Sequence, residues 1–365
     1  MAQNYKLYRI IYTGRLLFMQ DLNTLTISNL FSTLQSARHI SIIPHKNPDG
    51  DAIGCSLGLW HYLSSKGIKA TVMVNDAVPE FLKFLEGTSE IRVFESEPDQ
   101  CQKIIDDSDF IFCVDYAQLH RSGGLEPLIR SSSAKKIVVD HHPGPEDSFD
   151  FSYHDVSSSS TCELIYYLIR EIDPEYRFSL PAANALYTGL VTDTGCFKHA
   201  LRPQTFMAAA ELLKSGISYE FLVSNIFDVN TPERLKLIGF ALNEKMQILK
   251  EYRTAIFSLS MDEYENIGVK KGDTEGLVNY ALSIQNMVMG VFFHEREKGK
   301  TKISFRSKGN FAVNELSAQY FNGGGHKNAA GGEFNGPVGE AVKHFMEILP
   351  QYKEQLTSLE IGKRD

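Results

Sequence analysis

The chain has no apolar run long enough to span a bilayer, and its first residues lack the basic, apolar and small-residue succession of a secretion signal. Cysteine is scarce: Cys55, Cys101, Cys113, Cys162 and Cys196 are odd in number and show no C-x-x-C spacing. That pattern excludes a disulfide scaffold and a thiolate zinc site, and predicts buried thiols in a reducing cytoplasm. There is no excess of positive charge either. A net charge of −8 leaves no broad basic face for long nucleic acid, although short anionic ligands need only a few Lys or Arg. Internal repeats and low-complexity tracts are absent. What remains is an ordinary globular composition, 43% hydrophobic and 22% charged over 365 residues, enough for two domains. The segment through Phe18 mixes basic and aromatic residues in no clear period, so the fold is expected to begin near Met19, with a short N-terminal arm as the alternative.

From about residue 22 to 200, β-branched runs alternate with helical patterns. His39 to Ile43, Ala70 to Val74, Asp109 to Val114 and Lys136 to Val139 read as strands. Ile53 to Lys66, Gly123 to Arg130, Leu164 to Ile172 and Pro181 to Leu190 read as helices. Strands separated by helices predict a parallel α/β sheet, whose ligands gather at the carboxyl ends of the strands. Residues 201–247 read as a wholly helical linker. From 248 to 350 the pattern changes to a smaller α/β domain: strands at Thr254 to Leu259, Val288 to His294 and Thr301 to Arg306, a glycine-rich segment around Gly323 to Gly332, and a closing helix from Val338 to Leu349.

Polar clusters follow the predicted strands. His45, Asp49 and Asp51 lie in a loop where Pro48 and Gly50 force a tight turn; Asp115 ends one strand, Asp140-His141-His142 another, and Asp193 ends a helix. Carboxylates and imidazoles without a cysteine among them favour Mn²⁺ or Mg²⁺ over a thiolate zinc site. So many anionic ligands exceed the need of one divalent ion, and a pair sharing a carboxylate suits in-line displacement at phosphorus. Singly, each residue has a plainer reading. Pro48-Asp49-Gly50 is a common turn signature, Ser160 with Glu163 has capping-box spacing, and the helix containing Trp60 is a core helix with an exposed rim.

Taken together, the stretch from His45 to Gly54, Asp115 with Arg121, Asp140-His141-His142 and Asp193-Thr194-Gly195 resemble the four ordered motifs of the DHH phosphoesterases. Ser304 to Ser307 and the GGGHKNAAGG segment resemble the substrate-binding C-terminal domain associated with that family. Size and domain content are most similar to its oligoribonuclease and pAp-phosphatase branch. The resemblance implies that His45, Asp49 and Asp115 hold one ion, and that Asp51, Asp115, His141 and Asp193 hold the other. It implies that Asp140 orients its histidine neighbours and His142 contacts the scissile phosphate, while Arg306, Gly324, Gly325 and His326 bind substrate. The implied activity is hydrolysis of short oligoribonucleotides and of adenosine 3′,5′-bisphosphate (pAp), in the cytoplasm, without membrane, with a homodimer left open. A phosphodiesterase for cyclic or linear dinucleotides is the alternative within the enzyme class, followed by a single-strand DNA exonuclease; a regulator with a decayed centre is the alternative outside it, and the intact ligand set argues against decay. Asn322 stands where many members have a further glycine, and Cys55 where serine is frequent. Arg121 is left between substrate binding and a structural ion pair; Asn328 between substrate contact and shaping of the glycine loop. His120, His154, His199 and His294 are read as surface or packing residues.

Overall fold

A computed structural model describes residues 25–198, 200–270 and 272–359, with Arg296 and His326 described by their backbone alone. The N-terminal segment around Met19 and the side chain of His199 lie outside the described residues. Two compact units divide between Ile226 and Phe227. No helix among the described residues is long and apolar enough to cross a membrane.

The first unit contains α1 (Ile27–Gln35), β1 (Ile40–Pro44), α2 (Gly50–Ser65), β2 (Ala70–Val74), β3 (Arg92–Val93), α3 (Pro98–Asp106) and β4 (Phe110–Val114). It continues with α4 (Glu126–Ser131), β5 (Lys135–Asp140), β6 (Phe151–His154), α5 (Thr161–Ile172), α6 (Leu180–Asp193), α7 (Pro203–Leu213) and most of α8 (Tyr219–Phe227). Six parallel strands pair in the order β3-β2-β1-β4-β5-β6. Both faces are covered, which is why the strands are apolar without interruption. Along β4, Phe110, Phe112 and Val114 join a core with Ile53, Ile165 and Leu186, whereas Ile111 and Cys113 join a second core with Ile105 and Ile129. Alternate side chains thus serve opposite faces, each fully buried aliphatic contributing roughly 1.5–3 kcal/mol.

The second unit contains α9 (Pro232–Phe240), β7 (Gln247–Leu249), β8 (Thr254–Leu259), α10 (Met261–Ile267), α11 (Asn279–Ser283), β9 (Met289–Glu297) and β10 (Lys300–Ser307). α12 (Val313–Tyr320), β11 (Gly324–His326), β12 (Ala329–Asn335), α13 (Val338–Ile348) and α14 (Lys353–Ser358) complete it. Its sheet runs β11-β12-β10-β9-β8-β7 and is mixed, with only β8 and β9 parallel. The glycine-rich segment is therefore two strands and their turn. Residues 203–240 form three helices: Ala208 and Leu212 pack in the first unit's core, Leu237 in a core of the second.

Candidate metal centre

Register brings the polar segments level. Pro44 pairs with Val114, and Val114 with Val139, so His45, Asp115 and Asp140 leave the sheet side by side. β1 and β4 are also the neighbours from which the chain winds in opposite directions, the place where an open parallel sheet leaves a crevice. The turn out of β4 is tight: Asp115 has φ 65°, a left-handed conformation that aspartate tolerates better than most non-glycine residues.

Two helices complete the cleft. Asp49 caps α2, one carboxylate oxygen accepting from the N–H groups of Asp51 (3.1 Å) and Ala52 (3.0 Å). A Cβ at Gly54 would stand 2.5 Å from the Ala185 carbonyl oxygen, and one at Gly189 would stand 2.7 Å from Asp51 Oδ1. Only glycine permits so close an approach of α2 and α6, and it carries Asp51 and Asp193 to the same imidazole.

His45 Nε2 lies 3.3 Å from Asp115 Oδ2 and 3.8 Å from Asp49 Oδ1. His141 Nε2 lies 3.6 Å from Asp115 Oδ1, 3.9 Å from Asp51 Oδ2 and 3.4 Å from Asp193 Oδ2. The two oxygens of Asp115 therefore face two different imidazoles. His45 with Asp49 and Asp115, and Asp51 with His141 and Asp193, form compact groups able to hold a metal ion. Separations of this size are those of neighbouring ligands around an ion at about 2.0–2.2 Å. His45 Nδ1 hydrogen-bonds the Lys46 carbonyl (2.8 Å) and His141 Nδ1 the Ser158 carbonyl (3.3 Å), so Nε2 is the nitrogen that each turns toward the carboxylates. His142 is different. Its Nδ1 donates to Asp140 Oδ1 (2.7 Å), and its backbone N–H donates to Asp140 Oδ2 (3.0 Å), so this nitrogen has no lone pair for a cation. Asp140 is wholly buried.

The electrostatics call for cations. Burial, together with the charges of Asp115 and Asp193, pushes the Asp51 carboxyl well above the ordinary carboxylate range. Burial with Asp115 and Asp49 does the same to Asp193. For Asp115 burial works upward, but His45 and the imidazoles of His142 and His141 outweigh it and hold the carboxyl low. His45 rises to about 9 despite its burial because Asp115 and Asp49 face it. Oxygen- and imidazole-rich, thiolate-free and crowded with negative charge, the donors fit hard divalent ions.

Several contacts were not legible from the motifs. Thr161, at the start of α5, donates its hydroxyl to Asp115 Oδ1 (2.9 Å) and its N–H to Asp51 Oδ2 (2.6 Å); the Cys162 N–H reaches Asp51 Oδ1 (2.9 Å). Ser160 caps α5 as its spacing predicts, yet Glu163 does not close the box: its carboxylate accepts from Ser159, Thr205 and Arg202. His154 does more than pack, meeting the His142 carbonyl with Nε2 at 2.5 Å. The Arg121 carbonyl accepts the Lys46 N–H (2.7 Å) and so ties its loop to that of His45. Trp60 donates its indole N–H to the Ala70 carbonyl, as a rim residue of a core helix would. His294 is buried and stacked on Phe292, a packing role.

In the second unit Ala329 pairs with both Arg306 and His326, which sets their backbones on either side of one strand. Arg306 is half-buried; desolvation lowers its pKa against the opposing charge of Glu275, and its Nη1 donates to the Phe305 carbonyl (2.9 Å). Gly324 is exposed with open space around its Cα, whereas Gly325 sits at φ 138° where a Cβ would meet the Ala329 carbonyl oxygen. Asn328 spends its amide N–H groups on Ser307, Gly309 and Phe311, so it braces the turn after β10. Asn322 adopts φ 47°, a left-handed position that asparagine tolerates better than most residues, though less freely than glycine.

Residues 39–190 match the DHH family, N-terminal domain, and residues 255–355 match the DHHA1 domain. The "Bifunctional oligoribonuclease and PAP phosphatase NrnA" of Thermus thermophilus is 29% identical over 87% of this chain and 90% of its own. The protein of the same name from Bacillus subtilis is 29% identical over 83% of this chain and 92% of its own. A crystal structure of an exopolyphosphatase-related protein from Bacteroides fragilis superposes with a TM-score of 0.88 at 37% identity, covering 91% of this chain and 97% of that one. The chain belongs to the DHH family, with a DHH domain followed by a DHHA1 domain.

Proposed function

We propose that the protein is a divalent-metal phosphoesterase that hydrolyses short oligoribonucleotides to mononucleotides and pAp to AMP, working in the cytoplasm. The observation that carries this reading is the division of the Asp115 carboxylate, Oδ2 toward His45 and Oδ1 toward His141, which makes it the shared member of two ligand sets. His45, Asp49 and Asp115 would hold one ion, and Asp51, Asp115, His141 and Asp193 the other. Imidazole in both sets favours Mn²⁺ over Mg²⁺. Bound there, the ions would supply Lewis-acid activation of water and neutralise charge on the phosphoryl oxygens.

The chain's own groups do the rest. Asp140 holds His142 with Nδ1–H turned inward, and we assign Nε2 to the scissile phosphate and the leaving oxygen. The half-buried Arg306 guanidinium suits a phosphate or bridging phosphodiester, and the backbone at Gly324 and Gly325, with His326, suits close approach of a ribose. The names of the relatives support the substrate class; the lack of a basic excess agrees with short substrates.

One panel tests the reading: pAp, a 5′-phosphorylated diribonucleotide, a 24-mer RNA, cyclic di-AMP and pyrophosphate, each with Mn²⁺. Turnover of pAp and the dinucleotide ahead of the 24-mer is expected. Fast turnover of pyrophosphate alone would overturn it, and cyclic di-AMP as the best substrate would move the assignment to a cyclic-dinucleotide phosphodiesterase.

A further inference from the structure

We propose that Thr161 is a positioning residue whose hydroxyl sets how the Asp115 carboxylate divides between the two cation sites; this rests on the two-cation reading above. Thr161 is fully buried at the first position of α5. A carboxylate only accepts, so the 2.9 Å contact to Asp115 Oδ1 commits the Thr161 hydrogen to that oxygen. The same oxygen faces His141 Nε2 at 3.6 Å, while its twin faces His45 at 3.3 Å. The terminal torsion of an aspartate is broad, and this hydroxyl narrows it to the orientation that serves both sets.

Thr161 reaches the second set too. Its N–H and that of Cys162 are first-turn donors with no partner inside the helix, and each holds one oxygen of Asp51. One helix turn thus grips the carboxylate shared by both sites and a carboxylate belonging to one of them. β-branching restricts the Thr161 rotamer, and α5 is itself fixed: buried Glu163 accepts from Ser159 Oγ (2.6 Å), Thr205 Oγ1 (2.7 Å) and Arg202 Nε (2.5 Å). The hydroxyl is therefore delivered from a rigid platform. Groups that orient metal-binding side chains in this way typically change metal affinity by about 10–100-fold.

The test is Mn²⁺ uptake by metal-free protein, read from the electron paramagnetic resonance of the unbound ion. The wild-type chain should take up two ions. Thr161→Val keeps the branch and nearly the volume but has no O–H, and should weaken at least one of the two ions by about 10–100-fold. Thr161→Ser should restore uptake to within a few-fold of wild type. Thr161→Ala, lacking hydroxyl and branch alike, should show the same loss as valine and serves if the valine variant does not fold. Wild-type titration curves for both hydroxyl-free variants would overturn the proposal. So would a serine variant as weak as valine, since the methyl group and not the hydroxyl would then be responsible. Fewer than two ions bound by the wild-type chain would instead overturn the two-cation reading on which the proposal stands.

Discussion

Asp115→Asn should abolish two-ion binding while leaving the fold in place. The substitution is isosteric, and asparagine accepts the left-handed φ of 65° as readily as aspartate. Its amide oxygen can still accept the Thr161 hydroxyl, so the loss is electrostatic. Asp115 stands 3.3 Å from the His45 ligand nitrogen and 3.6 Å from that of His141, so both ions lose a unit of ligand charge at once. One unit-charge interaction at about 4 Å and an effective dielectric of about 20 is worth about 4 kcal/mol, or roughly a thousandfold in affinity for each ion. Replacing His45 or His141 by alanine touches one set and should leave one ion bound. The assay is Mn²⁺ titration calorimetry on chelator-stripped protein, beside turnover of pAp. Asp115→Asn should show neither strong uptake nor measurable turnover, with the circular dichroism of the wild type. Two ions bound at near wild-type affinity, or loss of only one, would refute the shared-carboxylate reasoning.

Arg306→Ala should raise KM for pAp by about ten- to a hundredfold, the worth of a charge-assisted hydrogen bond, with kcat much less affected; steady-state kinetics check it, and an unchanged KM would remove Arg306 from the substrate site. Glu163→Gln should lower stability by roughly 1.5–3 kcal/mol, because the charge-assisted hydrogen bond from Arg202 is weakened while Asp155 still pairs that guanidinium; urea unfolding of the metal-free protein measures this. Burial lowers the pKa of His39, whose ring nitrogens face Ser108 and Thr71, so the folded chain keeps it neutral while the unfolded chain protonates it near 6.5. Stability is therefore lost as pH falls below about 6.5, and His39→Gln should flatten the decline of the melting temperature over that range. A slope equal to wild type would show that His39 contributes nothing to it.

The strands carrying the site were legible because they are buried on both faces: Ile40–Pro44, Phe110–Val114 and Lys135–Asp140 are dense β-branched or aromatic runs that lead directly into His45, Asp115 and Asp140. β3 and β6 were not, since a two-residue edge strand and Phe-Ser-Tyr-His carry little pattern of their own and owe their state to a neighbour. The stretch read as one helical linker is broken where Gly216 takes φ 89° and again before Pro232. Glycines 323–325 and 331–332 have no strand propensity, and β11 and β12 exist through pairing with one another and with β10. Thr161 stayed hidden for another reason: beside a capping serine its local signal is that of a helix start, and its partner Asp115 lies 46 residues away.

By itself the sequence determined which chemistry is available. Aspartates and histidines after apolar strands, with no cysteine among them and no basic excess, select divalent cations and short anionic substrates, because ligand hardness and net charge belong to composition and order. Tertiary structure alone decided how those groups share the work. Strand register levels His45, Asp115 and Asp140; glycine contacts between α2 and α6 bring Asp51 and Asp193 to His141; and the start of α5 delivers Thr161 to Asp115. The physical reason is that a hydrogen bond or a ligand set depends on distances of a few ångströms between residues far apart in the chain, which no local pattern encodes.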